Sequence, residues 1–187
     1  MNVPTPSQTI GPYFAIMLPL GGTELVEPQA ADVLRIEGQV IDGAGQPVSD
    51  AVVELWQANR AGRYAHPADT QEKLLEAGFT GFGRCQVDVN GAFRFVTVKP
   101  GQVPAGEGDR LQAPHINVTV FARGLLSRLV TRIYFPDEPA ANAADPVLVS
   151  IDDPAARATL IARAEAPGVL RFDIRLQGEG ETAFFAI

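Results

Sequence analysis

The sequence is poor in the residues on which many enzymes rely. Among its 187 residues it has one cysteine, Cys85, and two histidines, His66 and His115. A single cysteine excludes an intrachain disulfide and favours a reducing compartment, so we expect a cytoplasmic protein. The short motifs of serine hydrolases, zinc proteases, dithiol enzymes and phosphate-binding loops are also absent. Catalysis by one of these motifs is therefore unsupported.

Positive charge is scarce as well. The chain has 15 Lys and Arg against 22 Asp and Glu, which gives a formal net charge of -7 and no basic run. Because nucleic acids and anionic membrane surfaces are held by clustered positive charge, neither is an expected partner. The apolar stretch "IGPYFAIMLPLGG" has no Lys or Arg before Arg35 and is interrupted by Pro12 and Pro19. It therefore predicts neither a signal peptide nor a membrane span.

Alternating apolar residues are abundant from Val33 onward. Two pairs of such runs are separated by turn residues, and each pair predicts a β-hairpin. The pairs are "VLRIEGQVID" with "AVVELWQA", and "CQVDV" with "AFRFVTV", the latter joined by Asn90-Gly91. Three further strands are predicted in "HINVTVFA", "RLVTRIYF" and "LRFDIRLQ". About seven strands favour a mainly β protein with an antiparallel β-sandwich core.

Other stretches depart from the strand pattern. "DDPAARATLIARAEA" has an acidic start and an early proline, which predict an inserted helix, and "HPADTQEKLLEAGF" predicts a second, shorter one. Residues 1–30 are apolar and proline-rich and predict an extended arm, while residues 31–187 predict the sandwich. We expect one domain over residues 1–187. An apolar arm must lie against a surface, and both its own domain and another chain remain open.

A histidine opens the apolar run "LQAPHINVTVF". In a strand, His115 and Asn117 lie on one face with Thr119 and Phe121, because side chains alternate. A His-x-His pair at this spacing would grip a metal, but the amide of Asn117 is neutral and a weak ligand. Iron and zinc sites normally take at least three strong protein ligands. Taken by itself, His115 is therefore interpreted as a hydrogen-bonded histidine at the start of a strand.

Longer motifs resemble the intradiol ring-cleaving dioxygenases. They are "TPSQTIGPYF", "VELWQANRAGRYAH", "GFGRCQVDVNGAFRFVTVKPG", "APHINVTVFARG" and "RFDIRLQGEGETAFF". The resemblance implies a β-sandwich and, in iron-bearing members, non-haem Fe(III) held by two tyrosines and two histidines. Tyr64 and His115 match one ligand of each kind, but Val103 and Asn117 stand at the other two positions, and Gln112 replaces an arginine near the substrate. A vestigial metal site, with no iron on this chain, is what the resemblance then implies.

A chain without iron is expected to act with a partner. The resemblance implies an iron-bearing β subunit of the same fold, whose pocket is lined in part by Thr9, Gly11 and Pro12 of this chain's arm. Arg132, in the strand "RLVTRIYF", is the expected pocket cation for a carboxylated catechol. The implied reaction is O2 insertion into the ring of 3,4-dihydroxybenzoate (protocatechuate), giving 3-carboxy-cis,cis-muconate. Several such αβ pairs are expected in a larger hetero-oligomer.

The sequence is also compatible with other functions and with other roles for these residues. The stretch "GQVIDGAGQPVSDAVVELW" is also similar to transthyretin-like β-sandwich modules, which bind ligands or partners without catalysis. Tyr64, His66 and His115, with an acidic residue, can form a different metal site. Arg132 fits a surface ion pair as well as a pocket, and the arm fits a role that only joins two subunits.

Overall fold

The structure is a computed structural model of the chain, and it describes residues 9, 11, 13, 14, 22–27, 29–106 and 108–186. Within these residues it has eleven strands and three short helices. The strands are β1 (Val33–Ile41), β2 (Val52–Trp56), β3 (Phe82–Gln86), β4 (Ala92–Val98), β5 (Val103–Pro104), β6 (Leu111–Gln112), β7 (His115–Phe121), β8 (Leu129–Tyr134), β9 (Arg163–Ala166), β10 (Val169–Arg171) and β11 (Ile174–Arg175). The helices are α1 (Pro139–Ala144), α2 (Pro146–Val149) and α3 (Pro154–Ala158).

Two sheets pack face to face. In the first, β1 pairs antiparallel with β4 and parallel with β10 and β11, and β9 joins the edge of β10. The second sheet has the strand order β3-β2-β7-β8 and is antiparallel throughout. Strands β5 and β6 form a separate two-stranded ribbon. The prediction of a mainly β sandwich is confirmed, with the parallel pairs of β1 as an addition.

Strand β7 shows how the sequence separates the core from the polar face. Ile116, Val118 and Val120 are fully buried in the core between the sheets, together with Ile36 and Phe95 of the opposite sheet. Burying each such side chain stabilises the fold by about 1.5–3 kcal/mol. Because side chains alternate along a strand, the intervening residues of β7 must lie on the other face of the sheet. That face carries the polar residues described below.

Both predicted hairpins are wrong. Strands β1 and β2 lie in different sheets, as do β3 and β4. The turn at Asn90-Gly91 does form, with Gly91 at φ 71° and its N–H donating to the carbonyl of Asp88 over 2.9 Å. It carries the chain from one sheet to the other, because β3 already ends at Gln86. Strand β4 instead pairs with β1 along its whole length, from Val33 opposite Val98 to Gln39 opposite Ala92.

The helix predictions are partly right. Helix α3 begins where predicted, with Asp153 accepting from the N–H of Ala155 over 2.9 Å, but it ends early and "RAEA" forms strand β9. The helix predicted in residues 66–79 is wrong, because that segment contains only turns and irregular backbone. There Asp69 accepts from the N–H groups of Tyr64 (2.8 Å) and Gln71 (3.0 Å), and such bonds compete with helix formation. Nowhere in the described residues is a helix long and apolar enough to cross a bilayer.

A buried carboxylate fixes the region around α2. Asp145 is fully buried, and its Oδ1 accepts from the N–H groups of Val147 and Leu148, each over 2.9 Å, as the cap of α2. The same oxygen accepts from the hydroxyl of Tyr134 over 3.1 Å, while Oδ2 accepts from the N–H of Ala113 over 2.8 Å. One side chain thus joins α2, the end of β8 and the segment that leads into β7.

Replacement of Asp145 by alanine tests this role. We expect Asp145→Ala to lower the free energy of unfolding by about 3 kcal/mol or more, since several buried donors lose an acceptor together. Urea denaturation of the purified protein measures the change. The matched control is Asp153→Ala, which removes an exposed cap and should cost only about 1 kcal/mol. Equal losses at the two positions would contradict the assigned role.

Candidate functional site

A row of side chains crosses the second sheet on its polar face. Trp56 of β2 lies opposite Asn117 of β7, and Asn117 lies opposite Arg132 of β8. His115 and Tyr134 form the next pair along β7 and β8. Residues directly opposite each other in antiparallel strands share a face and are close enough to interact. The pairing of three strands therefore assembles the residues that the sequence singled out on β7 and β8.

The guanidinium of Arg132 organises this row. Its Nε donates to Oδ1 of Asn117 over 3.0 Å, and its Nη1 donates to Oε1 of Gln112 over 2.7 Å and to the hydroxyl oxygen of Tyr134 over 3.3 Å. Because a guanidinium has only donors, the amide oxygen of Asn117 must face it. The Nδ2 group of Asn117 is thereby directed to the phenol oxygen of Tyr64, at 3.2 Å.

An aromatic cluster adjoins the row. The loop after β2 brings the ring of Tyr64 onto Trp56, stacked with 5.6 Å between ring centroids and 17° between planes. The imidazole of His66 meets Trp56 edge-on, with 6.3 Å between ring centroids. Burial raises the pKa of the Tyr64 phenol, against the opposing effects of Asn117 and Arg132. Tyr64 is therefore a neutral phenol at neutral pH and retains its hydroxyl proton.

His115 is buried and neutral. Its side chain is only 3% exposed, and its Nδ1 lies 2.8 Å from the carbonyl oxygen of Ala113. Since a carbonyl only accepts, Nδ1 carries the proton and Nε2 carries the lone pair. Burial, with a further contribution from the positive charge of Arg132, lowers the pKa of His115 to about 4. The structure thus gives His115 the hydrogen bond that the sequence analysis expected at a strand start.

A cavity of about 410 Å³ opens over these residues. Val103 of β5 and Gln112 of β6 form part of its wall, so the small ribbon closes one side. The residues that line it are Trp56, Tyr64, His66, Ala68, Asp69, Thr70, Gln71, Val103, Pro104, Gln112, His115 and Arg132. Four of the predicted site residues therefore meet at one cavity, and Asn117 is hydrogen-bonded to two of them. Their functional role stays a prediction.

The residues at this cavity do not fit the Fe(III) site of the iron-bearing family members. Val103 offers no donor atom, and the amide oxygen of Asn117 is taken by Arg132. The guanidinium of Arg132 also adds positive charge at the place where a cation would have to be stabilised. In the described part of the chain, no three His, Cys, Asp or Glu side chains are grouped as metal ligands. Asp69 lines the same cavity as His66 and His115, but the three do not form a group that could hold a metal ion, so the alternative metal site does not form among the described residues.

Thr9 and Gly11, the predicted pocket residues of the arm that the structure describes, do not line this cavity. The hydroxyl oxygen of Thr9 accepts from the N–H of Gly124 over 3.1 Å and from the N–H of Gly11 over 3.3 Å. Gly11 has φ 65°, a conformation that a residue without a side chain adopts readily. Pro12 lies outside the described residues. At Thr9, then, the arm contacts its own chain, at the loop between β7 and β8.

Thr9 and Arg132 are separated along β7. Arg132 lies opposite Asn117, near the start of the strand, whereas Gly124 follows its last residue, Phe121. The distance from Asn117 to Phe121 alone is roughly 13 Å at the rise of a β-strand. The guanidinium of Arg132 points toward the start of β7, because it binds Gln112. Within one chain, Thr9 and Arg132 therefore do not meet.

Two residues were not predicted from the sequence, Arg123 beside the Thr9 contact in the chain and Asp145 behind the cavity. Arg123 directly precedes Gly124, whose N–H binds Thr9; its side chain is 67% exposed and is paired with Asp50 over 3.0 Å. The signal was the phrase "FARG" at the end of a predicted strand. Asp145 was missed too, although an acidic residue before Pro146 is a typical helix start.

A family model and individual known proteins match nearly the whole chain. A family model described as Dioxygenase matches residues 10–178. The chain is 46% identical over 98% of its length to 97% of the protocatechuate 3,4-dioxygenase alpha chain of Burkholderia cepacia. It is 41% identical to the beta chain of the same species, over 79% of this chain and 65% of that one.

A solved structure has the same fold. The dioxygenase domain of a dioxygenase carbohydrate-binding protein fusion from Streptomyces sp. SirexAA-E superposes with a TM-score of 0.59 and 30% identity, over 97% of this chain and 100% of that chain. The family match over residues 10–178 also extends far beyond residues 38–56, on which the transthyretin-like alternative depends. The chain therefore belongs to the family of intradiol ring-cleaving dioxygenases.

Proposed function

We propose that this chain is the α subunit of a protocatechuate 3,4-dioxygenase and acts with an iron-bearing β subunit of the same fold. The observation that carries the proposal is the 46% identity to an alpha chain along nearly the whole of both chains. The pair inserts O2 into the ring of 3,4-dihydroxybenzoate between the two hydroxylated carbons and releases 3-carboxy-cis,cis-muconate. Both oxygen atoms of O2 enter the product, so no further reductant is needed.

The metal chemistry belongs to the partner in this proposal. Fe(III) on the β subunit supplies Lewis-acid and electronic activation of the catechol toward O2. The donor set of this chain argues for that division, because Val103 has no donor atom and Arg132 occupies the amide oxygen of Asn117. What remains for this chain is to shape the pocket and to support assembly of several αβ pairs.

The arm is the segment that we assign to the partner's pocket. Thr9, Gly11 and Pro12 would form part of its wall, and the exposure of Thr9 and its hydrogen bond to Gly124 support this placement. Thr9 is exposed, and its hydroxyl oxygen accepts from the N–H of Gly124, the residue that follows Arg123 in the chain. Arg123 is exposed and paired with Asp50, and a guanidinium is the group that suits a substrate with a carboxylate. Arg132 is not part of this wall in our proposal, because its guanidinium faces the cavity of its own chain.

We also propose that residues 1–187 act as one domain in the cytoplasm. Cys85 is a free cysteine, which suits a reducing compartment. The core joins side chains of both sheets into one cluster that reaches from Leu25 to Phe184. A continuous core of this kind is typical of one cooperative unit.

Iron analysis tests whether the metal is bound by the partner and not by this chain. We expect this chain, purified with its partner and then separated from it, to hold no more iron than a metal-free control protein, because only Tyr64 and His115 match the ligands of the family. Elemental analysis of the separated chains measures iron on each. Iron that stays with this chain in a one-to-one ratio would contradict the proposal.

Kinetics of the assembled enzyme test the arm. We expect Thr9→Val to raise KM for protocatechuate about threefold to tenfold with iron retained, because the wall loses its anchor at Gly124. Steady-state O2 consumption measures KM and kcat. The control is Arg163→Gln, an exposed residue paired with Asp173 and remote from the arm in sequence. An unchanged KM in Thr9→Val would overturn the arm's role, and an equal rise in Arg132→Ala would return Arg132 to the partner's pocket.

A further inference from the structure

The guanidinium of Arg132 has hydrogen-bonding capacity to spare. Of its five N–H donors, Nε uses one on Asn117, and Nη1 uses two, on Gln112 and the hydroxyl of Tyr134. In the described part of the chain, Nη2 has no hydrogen-bond partner, and no carboxylate lies within ion-pair distance of the guanidinium. A half-buried cation with two free donors thus lines the cavity.

Two more polar groups at the cavity, the Tyr64 hydroxyl and the His115 imidazole, each keep one free hydrogen-bonding atom. Asn117 donates to the oxygen of Tyr64, so the hydroxyl proton of Tyr64 is left to donate elsewhere. Because Nδ1 of His115 is bound to the carbonyl of Ala113, its Nε2 is an acceptor. The cavity therefore offers a cation, a hydroxyl donor and an imidazole acceptor, a set that suits a carboxylate with a polar ring substituent.

The walls of the cavity are largely flat and apolar. The stacked rings of Trp56 and Tyr64 form one side, and Val103 and Pro104 contribute apolar surface. A volume of about 410 Å³ lies within the range of small-molecule sites. Asp69 is the carboxylate in the lining, and the N–H groups of Tyr64 and Gln71 occupy its oxygens. The carboxylate of Asp69 is thus bound to the backbone of its own loop. In the described part of the chain, the guanidinium of Arg132 has no direct counter-ion.

We propose that this cavity is a binding site for a small aromatic monocarboxylate, whose carboxylate binds Nη2 of Arg132 and whose ring lies against Trp56 and Tyr64. Benzoate is the simplest member of the class. The site needs no metal and no residue of another chain. It is therefore a function of this chain beyond its proposed role beside an iron-bearing subunit, and it does not rest on that role.

Calorimetric titration with benzoate tests the site. The protein is purified with any partner that accompanies it, and the wild type is compared with an Arg132→Gln complex. We expect the wild type to bind benzoate at one more site per copy of this chain, with Kd about 1 mM or tighter, and the variant to bind there at least about tenfold more weakly. Benzoate bound at a partner's pocket is common to both samples. The comparison thus holds whether or not the proposed function is right.

Two further probes and a second variant make the result specific. Benzamide keeps the ring without the charge, and acetate keeps the charge without the ring, so both should bind at least about tenfold more weakly than benzoate. Tyr64→Phe removes the hydroxyl donor but keeps the stacked ring, and it should weaken benzoate binding several-fold even if Arg132→Gln disturbs the fold. The matched control, Arg163→Gln, should bind as the wild type does. Equal benzoate binding by the wild type and both cavity variants, or no saturable binding at all, would overturn the proposal.

Discussion

Asp145 is fully buried, and its carboxylate can only accept, so the hydroxyl of Tyr134 must donate to it. The oxygen of Tyr134 is then left to accept from Nη1 of Arg132. Arg132 in turn orients the amide of Asn117, and that amide leaves Tyr64 with a free hydroxyl proton. These hydrogen bonds form a continuous chain from Asp145 to Tyr64 at the cavity. A connected set of hydrogen bonds of this kind favours one arrangement of these side chains.

This network lies at the cavity that brings together Tyr64, Val103 and His115, where the resemblance predicted a vestigial metal site. A positive charge is present at the cavity, but it belongs to the Arg132 guanidinium and is fixed to the protein. The carboxylate of Asp145 does not contact the guanidinium directly. The hydroxyl of Tyr134 lies between the two groups and is hydrogen-bonded to both. The guanidinium on this face does not disturb the core of the sandwich, since Ile116 and Val118 face the opposite side of β7. A chain can thus keep the fold of its family and change the chemistry of one face.

Local features of this chain could be predicted from its sequence, and non-local ones could not. The alternation along β7 has a period of two, and it correctly placed His115 and Asn117 on one face. Strand pairing is non-local, and the turn at Asn90-Gly91 could not reveal that β4 pairs with β1 in another sheet. The loop after β2 was predicted as a helix because its composition suits one, whereas Asp69 binds backbone N–H groups there. The link from Asp145 to Ala113 spans 32 residues and has no local pattern at all.

Strand β7 separates the two sites that we propose. At its start lies the cavity, and beyond its end lies the loop that binds Thr9. Because the strand is held on both sides by β2 and β8, the two ends are joined by a rigid element. The arm can therefore be positioned against a second chain without moving Arg132.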